Sequence, residues 1–177
     1  DNTIMATSLY DHSVANYLQT LTAVSGFLDK GLAHFTANQV SADEVVDFRL
    51  YADMLPFRFQ IESVAHHSLG AIEGMKKGVF APGGETPPRN YAGLQQLIAD
   101  TRASLQAMAP ADVNALSGRD MVFELRGRQI PFTTDNFALS FSLPNFYFHA
   151  TTAYDILRLK GVPLGKRDFL GTMRVKG

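Results

Sequence analysis

The 177-residue chain contains no cysteine. That excludes disulfides, thiolate metal ligands and a cysteine nucleophile together, so any metal has to be held by His, Asp or Glu. The absence fits a reducing cytoplasm, which is the expected compartment. An excess of charge of one sign is lacking too: 16 basic against 17 acidic residues leave a formal net charge of −1. There is no basic field for a phosphate backbone, so no nucleic-acid partner is expected. No apolar run reaches the ~18 residues of a membrane span. The N-terminus has no basic region followed by an apolar one, so neither a membrane nor a signal peptide is expected. Met5 offers an internal start, since pattern begins near Ser8. Gly-x-Ser-x-Gly and His-Glu-x-x-His are missing. Gly161 to Arg167 falls short of a phosphate loop: it has one residue too few, Arg167 where Ser or Thr is needed, and a preceding helix instead of a strand.

What is present is helical periodicity. The length suits one domain with a real core, taken as 1–177. Leu9, Val14, Tyr17, Leu18, Leu21, Val24, Phe27 and Leu28 recur at threes and fours and predict a first helix over 8–35. His34 near its end suits the helix dipole. Ser41-Ala42-Asp43-Glu44 reads as a capping box, opening a long second helix to about Met75 or Lys77 that Pro56 should kink. Val79 to Pro88 is a loop by composition. A third helix runs from Asn90 to about Ala109. Period-two alternation at 121–125 and 129–133, around Arg126-Gly127-Arg128, predicts a β-hairpin with Pro131 on an edge strand. Thr134-Asp135 opens a fourth helix, kinked at Pro144 and ended by Gly161-Val162-Pro163. The tail to Gly177 reads as irregular. The fold expected is all-α: a four-helix bundle with a β-hairpin inserted between helices three and four.

Polar groups on apolar helix faces are the candidate site. Asp53, Gln60 and His67, spaced by sevens, share nearly one line on the predicted second helix. His66 and His67 point about 100° apart, so at most one should face inward, and His67 is favoured. In the fourth helix, Asn145, His149 and Thr152 share a face. His67 and His149 can meet between helices as metal ligands, or serve as satisfied core residues. Asn145 and Thr152 can orient a histidine or bind a ligand. They can equally bond backbone carbonyls near Pro144. The aromatic cluster of the last helix, Phe137 to Tyr154, suits core packing and also a dimer face.

Ser8-Leu9-Tyr10-Asp11, Asp53-Met54 with Pro56, Leu143-Pro144-Asn145-Phe146, Phe148-His149, Thr151-Thr152-Ala153-Tyr154 and Gly161-Val162-Pro163-Leu164-Gly165-Lys166 together resemble a bacterial family of unknown function. That family is grouped with the DinB/YfiT-like metalloenzymes. The resemblance implies a DinB-like four-helix bundle, often dimeric. It also implies a divalent metal such as Zn, Ni or Fe on three histidines, one from helix two and two from helix four spaced by four. Some relatives are similar to thiol transferases. His67 and His149 match two of these positions. The positions four from His149 are Asn145 and Ala153, so the site is incomplete relative to the pattern. Three functions are therefore expected to compete. The first is a small-molecule-binding or vestigial bundle with a degenerate metal site, its ligand touching Asp53, Gln60, Asn145 and Thr152. The second is a divalent-metal-dependent transferase or hydrolase, with Asp53 or water as third ligand. The third is a homodimeric interaction module.

Overall fold

The computed structural model describes residues 6–177; Met5, the internal start, lies outside the described residues. Helix α1 (Leu9–His12) is capped by Ser8, whose hydroxyl accepts from the Asp11 N–H at 3.2 Å while the Asp11 carboxylate accepts from the Ser8 N–H at 2.9 Å. Ser13, at φ −115° and ψ −86°, breaks the backbone before α2 (Val14–Ala37). The predicted first helix is thus two.

The stretch predicted as one long kinked helix departs further. Ser41 heads only a 3₁₀ turn (Ala42–Val45), its hydroxyl accepting from the Asp43 N–H at 3.3 Å and not from Glu44. The Asp43 carboxylate reaches across to accept from the Tyr91 N–H at 2.8 Å. Residues 46–56 run as turns, and α3 (Phe57–Ala65) begins only after Pro56, which sits at its N-cap. Proline costs least at a helix start, where the missing N–H would have no partner anyway. The first free amides of α3 find loop carbonyls: Phe57 donates to Phe48 and Arg58 to Val46, each at 2.9 Å. Asp53 therefore lies in an exposed loop, off the helix that carries Gln60 and His67.

From α3 the chain passes through a π turn (His66–Gly70) into α4 (Ala71–Lys77), which ends at Gly78 in the left-handed conformation, φ 78°. The segment predicted as pure loop begins with a strand, β1 (Val79–Phe80). Then come α5 (Tyr91–Gln106), capped by the Asn90 side chain on the Gly93 N–H at 2.8 Å, and α6 (Pro110–Asn114). Strands β2 (Asp120–Leu125) and β3 (Arg128–Thr133) are antiparallel about Arg126 and Gly127, φ 49° and 78°. Two positive φ values in a two-residue loop match the twist of the strands. β1 pairs parallel with β2, so the sheet order is β1-β2-β3 and Pro131 lies on an outer strand. The fold is mostly helical, as expected, with a small three-stranded sheet in which β1 is the strand that was not expected.

Helix α7 (Thr134–Phe137) leads into a second π turn (Ala138–Ser142) and α8 (Leu143–Leu159). Pro144 has no N–H to give. The ladder shifts just before it, where the Leu143 amide donates to the Ala138 carbonyl. The tail predicted as irregular contains α9 (Lys166–Leu170), which docks on α2 through Lys30–Asp168 and through the Gln19 amide on the Leu170 carbonyl at 2.9 Å. One hydrophobic cluster runs from Leu9 to Leu164, with Tyr17, Phe27, Phe57, Tyr91, Phe137 and Phe146 fully buried. α3 and α8 pack against each other, and that pairing positions the site.

Candidate functional site

A cavity of about 630 Å³ opens between α3, its π turn, α5, α8 and the segment after β1. Its apolar walls include Phe59, Phe80, Phe123, Phe141, Leu69 and Leu97, and its polar residues include Ser63, His66, His67, Asn145 and His149. Glu62 and Arg89 face each other at 3.1 Å in its wall, with the Thr86 hydroxyl donating to Glu62 at 3.2 Å.

His67 and His149 come from different helices and stack, ring centroids 5.7 Å apart and planes 15° from parallel. Gln60, one turn before Val64 on α3, is buried. Its side-chain N–H donates to the Leu55 carbonyl at 2.9 Å, leaving its oxygen for Nδ1 of His149 at 2.7 Å. Phe59 and Phe148 flank the His149 ring at 5.8 Å and 5.2 Å. Burial pushes the His149 imidazole down to about 4. His67 falls to about 3, chiefly through burial and then through its histidine neighbours. Both rings are therefore neutral at physiological pH. Nδ1 of His67 is buried without any partner.

His66 lines the cavity as well, although helical geometry predicts that only one of the pair faces inward. Its ring lies on Phe80, centroids 4.5 Å apart, and its Nε2–H donates to the Ala81 carbonyl at 2.7 Å. The reason is the segment folded over α4. A Cβ on Gly70 would sit 2.8 Å from His66 Nδ1, and one on Gly74 would sit 3.1 Å from Phe80 Cβ. Gly70 leaves room for the His66 ring, and Gly74, four residues on, leaves room for β1 at Val79 and Phe80. That spacing is the signal in the sequence that could have revealed the covering.

The remaining candidates separate. Asn145 lines the cavity, and its side-chain N–H donates to the Phe141 carbonyl at 2.8 Å. Thr152 donates to the Phe148 carbonyl at 2.8 Å and lies outside the cavity walls, as does exposed Asp53. Sequence reasoning missed His66, Glu62, Arg89 and the Phe80–Phe141 wall.

A three-donor metal site was tested against this geometry. Among the described residues no group of three His, Asp or Glu side chains is placed to hold a metal ion. His66 spends its Nε2–H on a carbonyl, Asn145 spends its amide N–H on another, and Ala153 is fully buried with no donor atom. The residues present do not fit the three-histidine arrangement.

Residues 9–170 match the family described as "Domain of unknown function (DUF1993)". A crystal structure of a DinB family member protein from Shewanella denitrificans is similar over 96% of this chain and 95% of that chain, with a TM-score of 0.82 and 29% identity. No curated protein matches. No helix of the described residues is long and apolar enough to cross a membrane.

Proposed function

We propose a small-molecule-binding role for this chain, which belongs to the family Domain of unknown function (DUF1993) and has a DinB-like fold. The long helices are read as a four-helix bundle with the β2–β3 hairpin inserted between the third and fourth. The observation that carries the reading is the cavity itself: about 630 Å³, aromatic on its sides, converging on two neutral imidazoles. Sites for small organic ligands are of this size and composition, with a few polar groups fixing orientation. The three-histidine pattern reduced to two supports a pocket that has kept its shape and lost its metal.

The test is saturable binding of a neutral apolar fluorophore, N-phenyl-1-naphthylamine, to the purified protein. One equivalent is expected, abolished by Leu97→Trp, which fills the wall. Absence of saturable binding, or binding indifferent to Leu97→Trp, overturns the reading. Elemental analysis of protein purified without chelator provides the second arm. About one equivalent of transition metal, lost in both His67→Ala and His149→Ala, would put the metal-dependent transferase in its place.

A homodimer in the cytoplasm remains part of the proposal. Leu139 and Phe148, 47% and 57% exposed on the last helical stretch, are apolar side chains that a second copy would cover. Sedimentation velocity across a hundredfold concentration range tests it, and a constant monomer mass rejects it.

A further inference from the structure

The polar end of the cavity has a direction, set by a chain of three groups. The Leu55 carbonyl can only accept a hydrogen bond, so the Gln60 side-chain nitrogen must be the atom 2.9 Å from it. The Gln60 oxygen then faces Nδ1 of His149 at 2.7 Å, and an oxygen there can only accept. Nδ1 must carry the proton. A neutral imidazole has one, and this ring lies among Phe59, Phe148 and the near-parallel His67 ring with no carboxylate partner among the described residues. Nε2 is left with a lone pair, and no group among the described residues donates to it. One turn earlier on α8, Asn145 spends its N–H on the Phe141 carbonyl, so its oxygen is the second unused acceptor in the same wall. The one arginine of the wall is engaged by Glu62. The cavity thus presents two unused acceptors among aromatic rings, beside the Ser63 hydroxyl and the one N–H of neutral His67, and its wall holds no free strong cation for an anionic ligand.

We propose that the ligand is a neutral hydroxyl compound, an alcohol or phenol on an apolar body of about one or two rings, whose O–H donates to Nε2 of His149. The Asn145 oxygen stands beside it as alternative acceptor. Gln60 is a positioning residue: it fixes which nitrogen of His149 is bare. An ammonium ligand also donates, but it brings a charge whose desolvation the neutral wall does not repay. A carboxylate would face two acceptors at this end and find no free cation in the wall. Losing that donor costs affinity, because the bound ligand then covers the acceptor and leaves it without a partner.

The inference rests on the small-molecule reading above, and the experiment separates the two. Calorimetry with 4-propylphenol and its methyl ether, 4-propylanisole, compares ligands of nearly one shape that differ in the donor. The phenol is expected to bind about ten- to a hundredfold tighter. In Gln60→Leu the advantage should collapse while anisole affinity holds, and Gln60→Asn should restore part of it. A merely structural Gln60 would weaken both ligands alike. Nitrogen-15 spectra of the imidazoles supply a readout independent of ligand: Nε2 of His149 is expected unprotonated at pH 7 in the wild type and mixed in Gln60→Leu. Equal binding of phenol and anisole overturns the hydroxyl donor and leaves the cavity reading standing. Tighter binding of 3-phenylpropylamine or 3-phenylpropionate than of the phenol overturns the neutrality of the ligand. Binding of none of the four overturns both readings.

Discussion

The closed end of the core and the cavity end treat buried polar groups in opposite ways. At the closed end, Tyr17 and Tyr91 are fully buried and each finds a partner. Tyr91 donates to the Leu28 carbonyl at 2.6 Å; Tyr17 pairs with the Ser142 hydroxyl, which in turn donates to the His67 carbonyl at 2.6 Å. At the cavity end, the same His67 whose carbonyl is satisfied has a ring nitrogen with none. Among the described residues the other such atom is Nε of Arg102, on a partly exposed guanidinium. An unpaired buried polar atom costs roughly 1–3 kcal/mol, so a paired group belongs to architecture and an unpaired one asks what completes it. The two π turns face each other where these regions meet, at Ser142 and His67, so one hydroxyl ties the satisfied end to the unsatisfied one.

The largest effect should come from breaking the closed end. Phe146 is fully buried, edge-on to Tyr17 with centroids 5.1 Å apart. Phe146→Ala should lose about 3–5 kcal/mol in urea unfolding followed by circular dichroism; a loss under about 1 kcal/mol would mean that this end is not the stabilising one. Acid sharpens the contrast next. Burial holds the folded His67 imidazole down at about 3, against 6.5 for a free imidazole. The unfolded chain therefore binds more protons between those values, so stability is full above pH 6.5 and falls as pH drops toward 3. At pH 4.5 the wild type should have lost roughly 3 kcal/mol to this group, a loss absent in His67→Leu; parallel pH profiles of the two proteins would contradict it. Ser142→Ala should cost about 2 kcal/mol, because it strands the Tyr17 hydroxyl and the His67 carbonyl together. Tyr17→Phe added to it should cost almost nothing more, the coupling read from a double-mutant cycle. The smallest effect belongs to the cavity end at neutral pH. His67→Leu should be neutral or stabilising by up to ~1 kcal/mol, since it removes a polar atom that has no partner; a loss beyond ~1 kcal/mol would show a partner that the geometry hides.

What could be read in advance follows the range of the interaction. The stripe from Val14 to Leu28, the helix start at Asn90 and the Arg126-Gly127 turn are each written within a few consecutive residues. Pro56 is the instructive error. A proline in an apolar stripe is equally consistent with a kinked helix and with a helix that starts there, and the choice rests on whether loop carbonyls reach the first amides. Here Phe48 and Val46 do, so the helix starts, and Asp53 leaves the line it was predicted to share with Gln60 and His67. At the site, His67 and His149 stood out as polar residues on apolar faces, and both line the cavity. His66 did not stand out, because its place depends on what β1 and the next residue bring, Phe80 against its ring and the Ala81 carbonyl on its Nε2.

The helical stripes, the alternating strands, the chain breaks at Gly and Pro, and the lack of a second His four residues from His149 are all legible in the residues themselves. All of these depend on residue type and near-neighbour spacing. Only the tertiary structure decided that Gln60 meets His149 across 89 residues, that β1 joins β2, and that one nitrogen of His67 lies dry. The physical reason is that periodicity says which face of a helix is apolar, but desolvation and hydrogen-bond pairing are properties of what another segment brings to that face.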